Sequence, residues 1–467
     1  MKITLIEPAP PGFHVYSFIR QVRLGLPLLG TLLRDQGHDV VIYVETLGDI
    51  DWERVGDSHL VGISTITSTA MKAYRYAERA REHGAVVAMG GPHVTFLADE
   101  ALEFCDYVVR GEGEDTLLEL VDHLEGGRPL EGILGLSYRD EEGTPVHTPS
   151  RPLRPTLDDL PSPDLSLICN HEMISPTPFL TSRGCAFDCE FCSVIVMFGR
   201  RVRVDRPEKI IAAIKQAQPE GIFFYDDNFV LSKRRTKHLL ASMIREGASV
   251  PFSAQIRVDS VCKDGRVDHE LLHLLSEAGC YLVYMGLESV NPATLAAFNK
   301  HQSVDDIAGG LAALHSYGIK THGMFVFGSD ADTLDTLRET TDFAIAHDIT
   351  SVQFMLLTPL PGTRQTASLE AEGRIFTHNW SLYDGHHVVF WPKNMSPLEL
   401  QDASIQAHHR FYRPHRWPAS PRYRWWGFII SHGWERVPDN MAYTRELRAF
   451  VATHEPPGPA KAGTSAD

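Results

Sequence analysis

Over the first 125 residues, short apolar runs alternate with longer segments whose apolar residues recur at helical spacing. Apolar strands of about five residues separated by helices are typical of a parallel sheet covered on both faces. The pattern therefore predicts a doubly wound α/β domain over residues 1–145, with ligand sites beyond the carboxyl ends of its strands. The predicted strands are Lys2–Ile6, Val40–Val44, Leu60–Ser64, Ala85–Met89 and Tyr107–Val109, and the predicted helices are Gly25–Gln36, Ala70–His83, Thr95–Phe104 and Glu114–Leu124.

A second alternating series begins near Pro178 and contains six β/α units. Six units are too few for a complete eight-stranded barrel, so the series predicts a partial TIM-type barrel over residues 173–365. In such barrels the chemistry lies at the carboxyl ends of the strands. The predicted strands are Phe179–Ser182, Gly221–Tyr225, Phe252–Val258, Tyr281–Leu287, Thr321–Phe327 and Ser351–Leu357, separated by helices at Pro207–Gln216, Arg234–Arg245, His269–Glu277, Ser303–His315 and Thr336–His347.

Three other segments lack this alternation. Residues 146–172 are polar and proline-rich, which is typical of a linker or a short lid. Residues 366–455 are predicted to form a mainly helical cap with an aromatic-rich stretch at Arg416–Trp434. Residues 456–467 consist mostly of small residues and proline, so we expect a disordered tail.

The 467-residue chain carries 44 Lys and Arg against 60 Asp and Glu, a formal net charge of −16. This excess of acid argues against binding to nucleic acid or to anionic membranes, which needs a basic surface. No apolar run is long enough for a membrane span, and the first residues lack the pattern of a signal peptide. The composition predicts a cytoplasmic globular protein.

Three of the seven cysteines, Cys185, Cys189 and Cys192, lie just after the first strand of the second series. Three thiolates with this spacing can each bind one iron of a cubane cluster and leave the fourth iron open to an added ligand. A structural zinc site needs a second pair of ligands nearby, yet the next histidine is His238 and the next cysteine is Cys262. The remaining four cysteines are interpreted as small buried apolar residues.

This cysteine spacing, with the aromatic Phe191 before the third cysteine, resembles the radical S-adenosylmethionine (SAM) superfamily over Pro178–Thr363. The resemblance implies a [4Fe–4S] cluster whose fourth iron is chelated by the amine and carboxylate of SAM. It further implies that one-electron reduction cleaves SAM to a 5′-deoxyadenosyl radical. The electron would come from an external donor such as flavodoxin or ferredoxin, and Phe191 would lie beside the cofactor.

Further SAM contacts are expected at the ends of the next three strands. Asp226 and Asp227 would accept from the cofactor ammonium, although one of them could instead cap the following helix. On the third strand, alternation places three polar residues on one face, either inward toward ribose and carboxylate or outward to solvent. On the fourth strand the resemblance implies contacts from a glycine and a carboxylate. These residues are Ser253, Gln255 and Arg257, followed by Gly286 and Glu288.

The first domain has glycine-containing turns after its strands but no Gly-x-Gly-x-x-Gly after the first one, so dinucleotide binding is disfavoured. Next to a radical SAM barrel these turns resemble the B12-binding domain of cobalamin-dependent radical enzymes. The resemblance implies that Ser64, Thr65, Gly90 and Gly91 line the slot for the cobalamin nucleotide tail. The loop that often supplies a histidine to cobalt has none here, and His14 comes too late, so cobalamin would lack a protein lower ligand. Loss of cobalamin altogether is the alternative.

The C-terminal region is similar to that of hopanoid methylase-like proteins in segments such as Trp380–Tyr383 and Arg410–Tyr412, although simple helix packing would also explain it. The first hypothesis is an oxygen-sensitive, cobalamin-dependent methyltransferase. It would act on an unactivated carbon of a small molecule, a lipid or a natural-product intermediate. A radical SAM enzyme that forms rings, rearranges its substrate or performs sulfur chemistry without cobalamin is the second. A non-catalytic iron–sulfur or cobalamin sensor is the third.

Overall fold

The computed structural model describes residues 1–12, 20–413, 427, 429 and 432–457. His14, most of the predicted aromatic stretch at Arg416–Trp434 and the tail from residue 458 lie outside these ranges. The described residues form two mixed α/β units followed by helices, which confirms the predicted fold class.

The first unit is a seven-stranded sheet in the order β2-β1-β3-β4-β5-β6-β7. The first five strands are parallel, as predicted, and β6 and β7 add an antiparallel edge that the pattern did not predict. The strands are β1 (Lys2–Glu7), β2 (Asp39–Val44), β3 (Leu60–Ser64), β4 (Val86–Gly90), β5 (Tyr107–Val109), β6 (Leu136–Arg139) and β7 (Pro145–His147). The helices are α1 (Gly25–Asp35), α2 (Trp52–Gly56), α3 (Ala70–Glu82), α4 (Pro92–Phe96), α5 (Ala98–Ala101) and α6 (Glu114–Leu124).

Both faces of this sheet are buried because its strands alternate between two cores. Ile63 and Met89 belong to the core on one face, whereas Ile3, Leu5 and Ala88 belong to the core on the other. The apolar runs of the sequence are explained by this double burial, which is the property that defines a doubly wound sheet. The single helix predicted over Thr95–Phe104 is instead the pair α4 and α5.

The second unit is a six-stranded parallel sheet in the order β17-β16-β15-β12-β11-β8, the predicted partial barrel. Its strands are β8 (Thr177–Phe179), β11 (Ile222–Phe224), β12 (Phe252–Ile256), β15 (Cys280–Glu288), β16 (Lys320–Phe327) and β17 (Ser351–Leu356). Two short antiparallel strand pairs accompany it, β9 (Ser182–Arg183) with β10 (Arg203–Val204), and β13 (Cys262–Lys263) with β14 (Arg266–Val267). Its helices are α7 (Ser193–Phe198), α8 (Pro207–Ala217), α9 (Lys233–Arg245), α10 (His269–Glu277), α11 (Pro292–Ala297), α12 (Val304–Ser316) and α13 (Leu334–Ala346).

One face of each barrel strand packs against helices and the other faces the barrel interior. On β12, Phe252, Ala254 and Ile256 belong to the large apolar core, and Ser253 and Gln255 lie between them in the sequence and outside that core. Because side chains alternate between the two faces of a strand, Ser253 and Gln255 point away from the helices, as the sequence indicates.

The proline-rich segment between the two units packs on the first of them. Leu157 and Leu160 form a small core with Leu28, and Asp164 forms an ion pair with Arg34 of α1. The edge strand β7 extends across the predicted boundary at residue 145. The boundaries of the linker remain predictions.

The C-terminal cap consists of α14 (Arg364–Ala371), α15 (Pro397–Phe411), α16 (Pro438–Thr453) and the loops between them. It contacts both units: Ser404 of α15 donates to the Phe354 carbonyl of β17 at 2.8 Å. Trp380 belongs to the core of the first unit and donates through Nε1 to Glu100 Oε1 at 2.8 Å. Among the described residues, no helix is long and apolar enough to cross a membrane.

The packing of Trp380 predicts that the cap stabilises the first unit. Trp380→Ala should lower the free energy of unfolding by about 3–5 kcal/mol, because it leaves a cavity in a buried core. Trp380→Phe keeps most of the ring and should lower it less. Urea denaturation followed by circular dichroism measures both changes. A loss below about 1 kcal/mol in the alanine variant would contradict this packing.

Candidate active site

The loop that carries the three cysteines begins directly after β8 and is held by backbone packing. Gly184, which precedes Cys185, has a φ of +87°. A Cβ at this position would lie 2.8 Å from the Arg201 carbonyl oxygen and 3.0 Å from that of Gly199. A glycine is required here both by the left-handed conformation and by this close approach.

The cysteine thiols are free and partly or fully buried. Burial, together with the charges of Cys189, Asp227 and Cys185, raises the pKa of Cys192 to about 12. Backbone N–H groups of Phe187 and Val194 donate to Cys185 and Cys192 respectively. Such N–H donors stabilise thiolates bound to a cluster.

The three cysteine thiols suit a [4Fe–4S] cluster better than a site for a single metal ion. Within the described ranges, no group of three His, Cys, Asp or Glu side chains converges on one ion. A cubane does not need such convergence, because each thiolate binds a different iron. Three separate thiols with backbone donors fit a [4Fe–4S] cluster.

Two arginines contact the cysteine loop, each at different residues of the loop. The Arg257 guanidinium lies 3.6 Å from the centre of the Phe187 ring and donates to the Lys300 carbonyl at 2.6 Å. Arg364 of α14 donates to Glu190 and to the Asp188 carbonyl, each at 2.9 Å. Arg257 is predicted to contact the cofactor, but it is buried and most of its donors are used by protein groups, so we assign it a positioning role.

The two adjacent aspartates after β11 have different environments. Asp226 is fully buried and accepts from the Thr181 backbone N–H at 3.1 Å, the Thr181 hydroxyl at 2.7 Å and the Ser182 hydroxyl. Its carboxylate therefore anchors the start of the cysteine loop, and the expectation that it meets the cofactor ammonium is revised. Asp227 lies in the cavity wall, where desolvation by the surrounding protein, together with the charge of Asp226, raises its pKa to about 6.

The predicted residues on β12 and β15 also divide into open and buried positions. Phe191, Gln255 and Gly286 are partly exposed, whereas Ser253 and Glu288 are buried. Glu288 is paired with Lys300, whose Nζ lies 2.5 Å from Glu288 Oε1. A Cβ at Gly286 would lie 2.6 Å from that same oxygen, so the glycine makes room for the ion pair.

A cavity of about 960 Å³ lies between the two α/β units. This volume is at the upper end of the range for small-molecule sites. The first unit contributes the end of β3 and the glycine turns after β4 and β5, and the barrel contributes residues around the cysteine loop. Residues that line it include Ser64, Gly90, Gly91, Ser182 and Asp227.

Where β3 and β4 end, the first unit presents small residues to this cavity. Gly91 has a φ of +103°, and a Cβ there would lie 2.3 Å from the Thr65 carbonyl oxygen. Thr65 is predicted to line the cobalamin slot, but it is fully buried and donates to the Gly90 carbonyl at 3.0 Å. A surface of glycine backbone and small side chains fits the close approach of a large, flat cofactor.

A buried charge network joins the two units beside the cavity. Arg183 Nη1 lies 3.1 Å from Glu112 and 2.6 Å from Glu114, and Arg203 Nη1 lies 2.6 Å from Glu112. Burial opposes ionisation of Glu112, but the two arginines outweigh it and lower its pKa. This network and the role of Lys300 were not predicted, because nothing local in the sequence pairs residues that are distant along the chain.

Family models match both units. The radical SAM superfamily model matches residues 179–344, and the B12 binding domain model matches residues 21–121. An uncharacterized methyltransferase of Pyrococcus horikoshii is 33% identical over 92% of this chain and 96% of its own length. Bacteriochlorophyllide d C-12(1)-methyltransferase of Chlorobaculum tepidum is 28% identical over 88% of this chain and 87% of its own.

The predicted likeness to hopanoid methylases is also confirmed. Hopanoid C-2 methylase of Rhodopseudomonas palustris is 28% identical over 64% of this chain and 54% of its own length. The radical SAM methyltransferase TsrM of Kitasatospora setae, solved with cobalamin and a [4Fe–4S] cluster, shares the fold with a TM-score of 0.69 at 18% identity. That match covers 97% of this chain and 100% of TsrM.

These matches define a radical SAM enzyme that carries a B12-binding domain. The chain belongs to the cobalamin-dependent radical SAM methyltransferase family. Its cofactors are a [4Fe–4S] cluster, SAM and cobalamin, as the sequence predicts. The particular residues that contact SAM and cobalamin remain proposals.

The charge network predicts an acid-sensitive junction. Glu112→Gln should lower the free energy of unfolding by about 3 kcal/mol, since it leaves buried arginines without full compensation. Because the pKa of Glu112 is lowered in the folded chain, its stabilisation is present above about pH 4.3 and is lost as the pH falls through the folded value. Denaturation between pH 7 and 3 measures both effects.

Glu78 provides the matched control for this charge change, since it is exposed on α3. Glu78→Gln should change the free energy of unfolding by less than about 0.5 kcal/mol. Equal effects of the two substitutions, or an unchanged pH dependence in Glu112→Gln, would contradict the role of the network.

Proposed function

We propose that this enzyme transfers a methyl group to an unactivated carbon of an apolar small molecule, such as a lipid or natural-product intermediate. Two relatives support this class of substrate, because their names specify methylation of a hopanoid and of a bacteriochlorophyllide. The observation that carries the proposal is the shared cavity, which is lined by the B12-type glycine turns and by the cysteine-loop side of the barrel.

This arrangement suits chemistry that needs two cofactors in one enclosed space. When bound, the cluster and SAM supply one-electron cleavage chemistry, and cobalamin supplies methyl transfer. Cys185, Cys189 and Cys192 would hold the cluster, and Asp227 would accept from the SAM ammonium. The backbone at Gly90 and Gly91, with Ser64, would line the slot for the cobalamin tail.

The barrel interior provides an apolar site that excludes water from the reacting carbon. The Phe223 ring packs edge-to-face against Tyr225 at 5.2 Å and against Tyr284 at 5.5 Å. Tyr225 and Tyr284 are partly exposed, and Tyr225 also lines the shared cavity. An aromatic wall of this kind is suited to bind an apolar substrate.

The reaction also requires an external one-electron donor, and we propose a flavodoxin or ferredoxin in this role. The reduced cluster would be sensitive to oxygen, and we propose the cytoplasm as its location. A net charge of −16 disfavours nucleic acid as a partner.

The cluster assignment predicts the behaviour of Cys189→Ala. With dithionite and SAM labelled in its methyl group, the anoxic wild-type protein should form 5′-deoxyadenosine and transfer the label to bound cobalamin. Cys189→Ala should form no 5′-deoxyadenosine, because the cluster loses a ligand. The buried Cys280, placed by the structure in the barrel core, gives the control Cys280→Ala, which should retain cleavage. Cleavage at the wild-type rate in Cys189→Ala would contradict the assignment.

Substitution of Asp227 should weaken SAM binding, whereas substitution of Asp226 should weaken cluster binding. Asp227→Asn should raise the dissociation constant of SAM by about tenfold or more, because it removes a charge-assisted hydrogen bond to the ammonium. It should leave the iron content unchanged. Asp226→Asn should instead reduce the iron content, since it loosens Thr181 and Ser182 at the start of the cysteine loop. Isothermal titration and iron analysis separate these effects, and SAM affinity that is unchanged in Asp227→Asn would contradict its role.

A further inference from the structure

Four side chains from the first unit and the cap form a hydrogen-bonded network beside the turn that follows β4. Tyr74 of α3 donates its hydroxyl to Glu100 Oε1 of α5 at 2.7 Å, and Trp380 of the cap donates Nε1 to the same oxygen at 2.8 Å. His93 of α4 is fully buried, and its Nε2 lies 3.1 Å from the Tyr74 hydroxyl oxygen and 3.5 Å from Glu100 Oε1. We call Tyr74, His93, Glu100 and Trp380 the Glu100 network.

The direction of each hydrogen bond follows from the charge of Glu100. Burial opposes ionisation of this carboxyl group, but hydrogen bonds from His93, Tyr74 and Trp380 outweigh it and lower its pKa. An ionised carboxylate can only accept, so Tyr74 and Trp380 donate to it, and the Tyr74 oxygen is left to accept from His93. The Tyr74 hydroxyl is therefore both a donor to Glu100 and the nearer acceptor for His93.

The Glu100 network holds α4, and α4 holds two turns of the cavity wall. His93 is the second residue of α4, and Gly91 directly precedes this helix. Thr95 of α4 donates its hydroxyl to the Gly91 carbonyl at 2.9 Å and accepts from the Gly111 backbone N–H at 3.0 Å. Gly91 and Gly111 both line the cavity. A displacement of α4 would therefore move the turns after β4 and β5 together.

The side chains of the network stand behind this wall and not in it. Among the described residues, those that line the cavity include the two turns but none of the four network residues. Tyr74 and Trp380 belong instead to the apolar core on one face of the first sheet. An effect of the network on a ligand in the cavity must therefore pass through the position of the backbone, which makes its members positioning residues.

We propose that the Glu100 network positions the glycine turns for cobalamin, so that the C-terminal cap takes part in cobalamin binding through Trp380. This inference rests on the proposed function, in which the backbone at Gly90 and Gly91 lines the slot for the cobalamin tail. Glycine backbone offers no long side chain that can adjust to a ligand, so the fit of the slot depends on where α4 is held. By linkage, bound cobalamin must in turn stabilise the seating of the cap.

The test uses the full chain and measures the dissociation constant of hydroxocobalamin by equilibrium dialysis. Tyr74→Phe removes one hydroxyl from the network and keeps the ring that stacks on Phe104. It should raise the dissociation constant by about fivefold or more, which corresponds to the loss of one buried hydrogen bond. The iron content and SAM affinity of the reconstituted protein should stay at wild-type values, because the network holds α4 and not the cysteine loop.

Tyr383→Phe is the matched control, since it makes the same chemical change in the same apolar core. Tyr383 is also buried, and it donates its hydroxyl to the Thr377 carbonyl at 2.7 Å, outside the network. This variant should lower the free energy of unfolding to a similar extent as Tyr74→Phe and leave the hydroxocobalamin dissociation constant unchanged. The pair thus separates a positioning role from a general loss of stability.

Two further measurements examine the contribution of the cap. Trp380→Phe keeps an aromatic ring but loses the donor to Glu100, so it should raise the dissociation constant by a similar factor. In the turn at residues 380–383, the N–H groups of Leu382 and Tyr383 are hydrogen-bonded. Hydroxocobalamin should slow hydrogen exchange of this turn in the wild type, and Tyr74→Phe should reduce the protection.

The outcomes are distinct. Equal dissociation constants in Tyr74→Phe and the wild type would overturn the positioning role and leave the proposed function intact. An increase of the same size in Tyr383→Phe would assign the effect to stability, which also overturns it. Exchange in the cap turn that does not respond to hydroxocobalamin would overturn the contribution of the cap. A wild-type chain that binds no hydroxocobalamin would overturn the cobalamin part of the proposed function together with this inference.

Discussion

The relative position of the two α/β units depends on the buried charges of Glu112, Glu114, Arg183 and Arg203. Each charge would be costly to bury alone, so the carboxylates of the first unit and the guanidinium groups of the cysteine loop require each other. Arg183 is two residues before Cys185. The network therefore fixes the cluster loop relative to the B12-type unit, and the cavity between them keeps its shape.

Around this junction the site contains two kinds of residue, those that support the loop and strands and those that are open to a ligand. Asp226, Arg257 and Glu288 are buried and paired with protein groups, whereas Asp227 and Gln255 face open space. A charged side chain whose partners are already supplied by the protein does not reorganise when a ligand binds. The buried, paired residues thereby hold the exposed residues in the positions that ligand binding requires. Such preorganisation is expected for a site that controls a reactive intermediate.

Most of the fold follows from periodicity in the sequence, because strands that are buried on both faces and helices with one apolar face leave clear patterns. The five parallel strands of the first unit and five of the six barrel strands were predicted to within two residues at each end. The exception is β8, which is Thr177–Phe179 and not the predicted Phe179–Ser182. The antiparallel edge strands β6 and β7 were missed, since short edge strands bury too little to produce a pattern. The cluster cysteines follow from spacing, but the different roles of Asp226 and Asp227 depend on how the strand end turns. The partners of Glu112 and Glu288 depend on tertiary contacts that local patterns do not contain.

The central claim is that this chain binds both a [4Fe–4S] cluster and a cobalamin. The most direct measurement is the content of iron and cobalt per chain after anoxic expression with cobalamin supplied and reconstitution of the cluster. The account predicts about four irons, as a cubane requires, and about one cobalt. Four irons without cobalt would retain the radical SAM assignment but contradict the binding of cobalamin, and fewer than two irons would contradict the cluster itself.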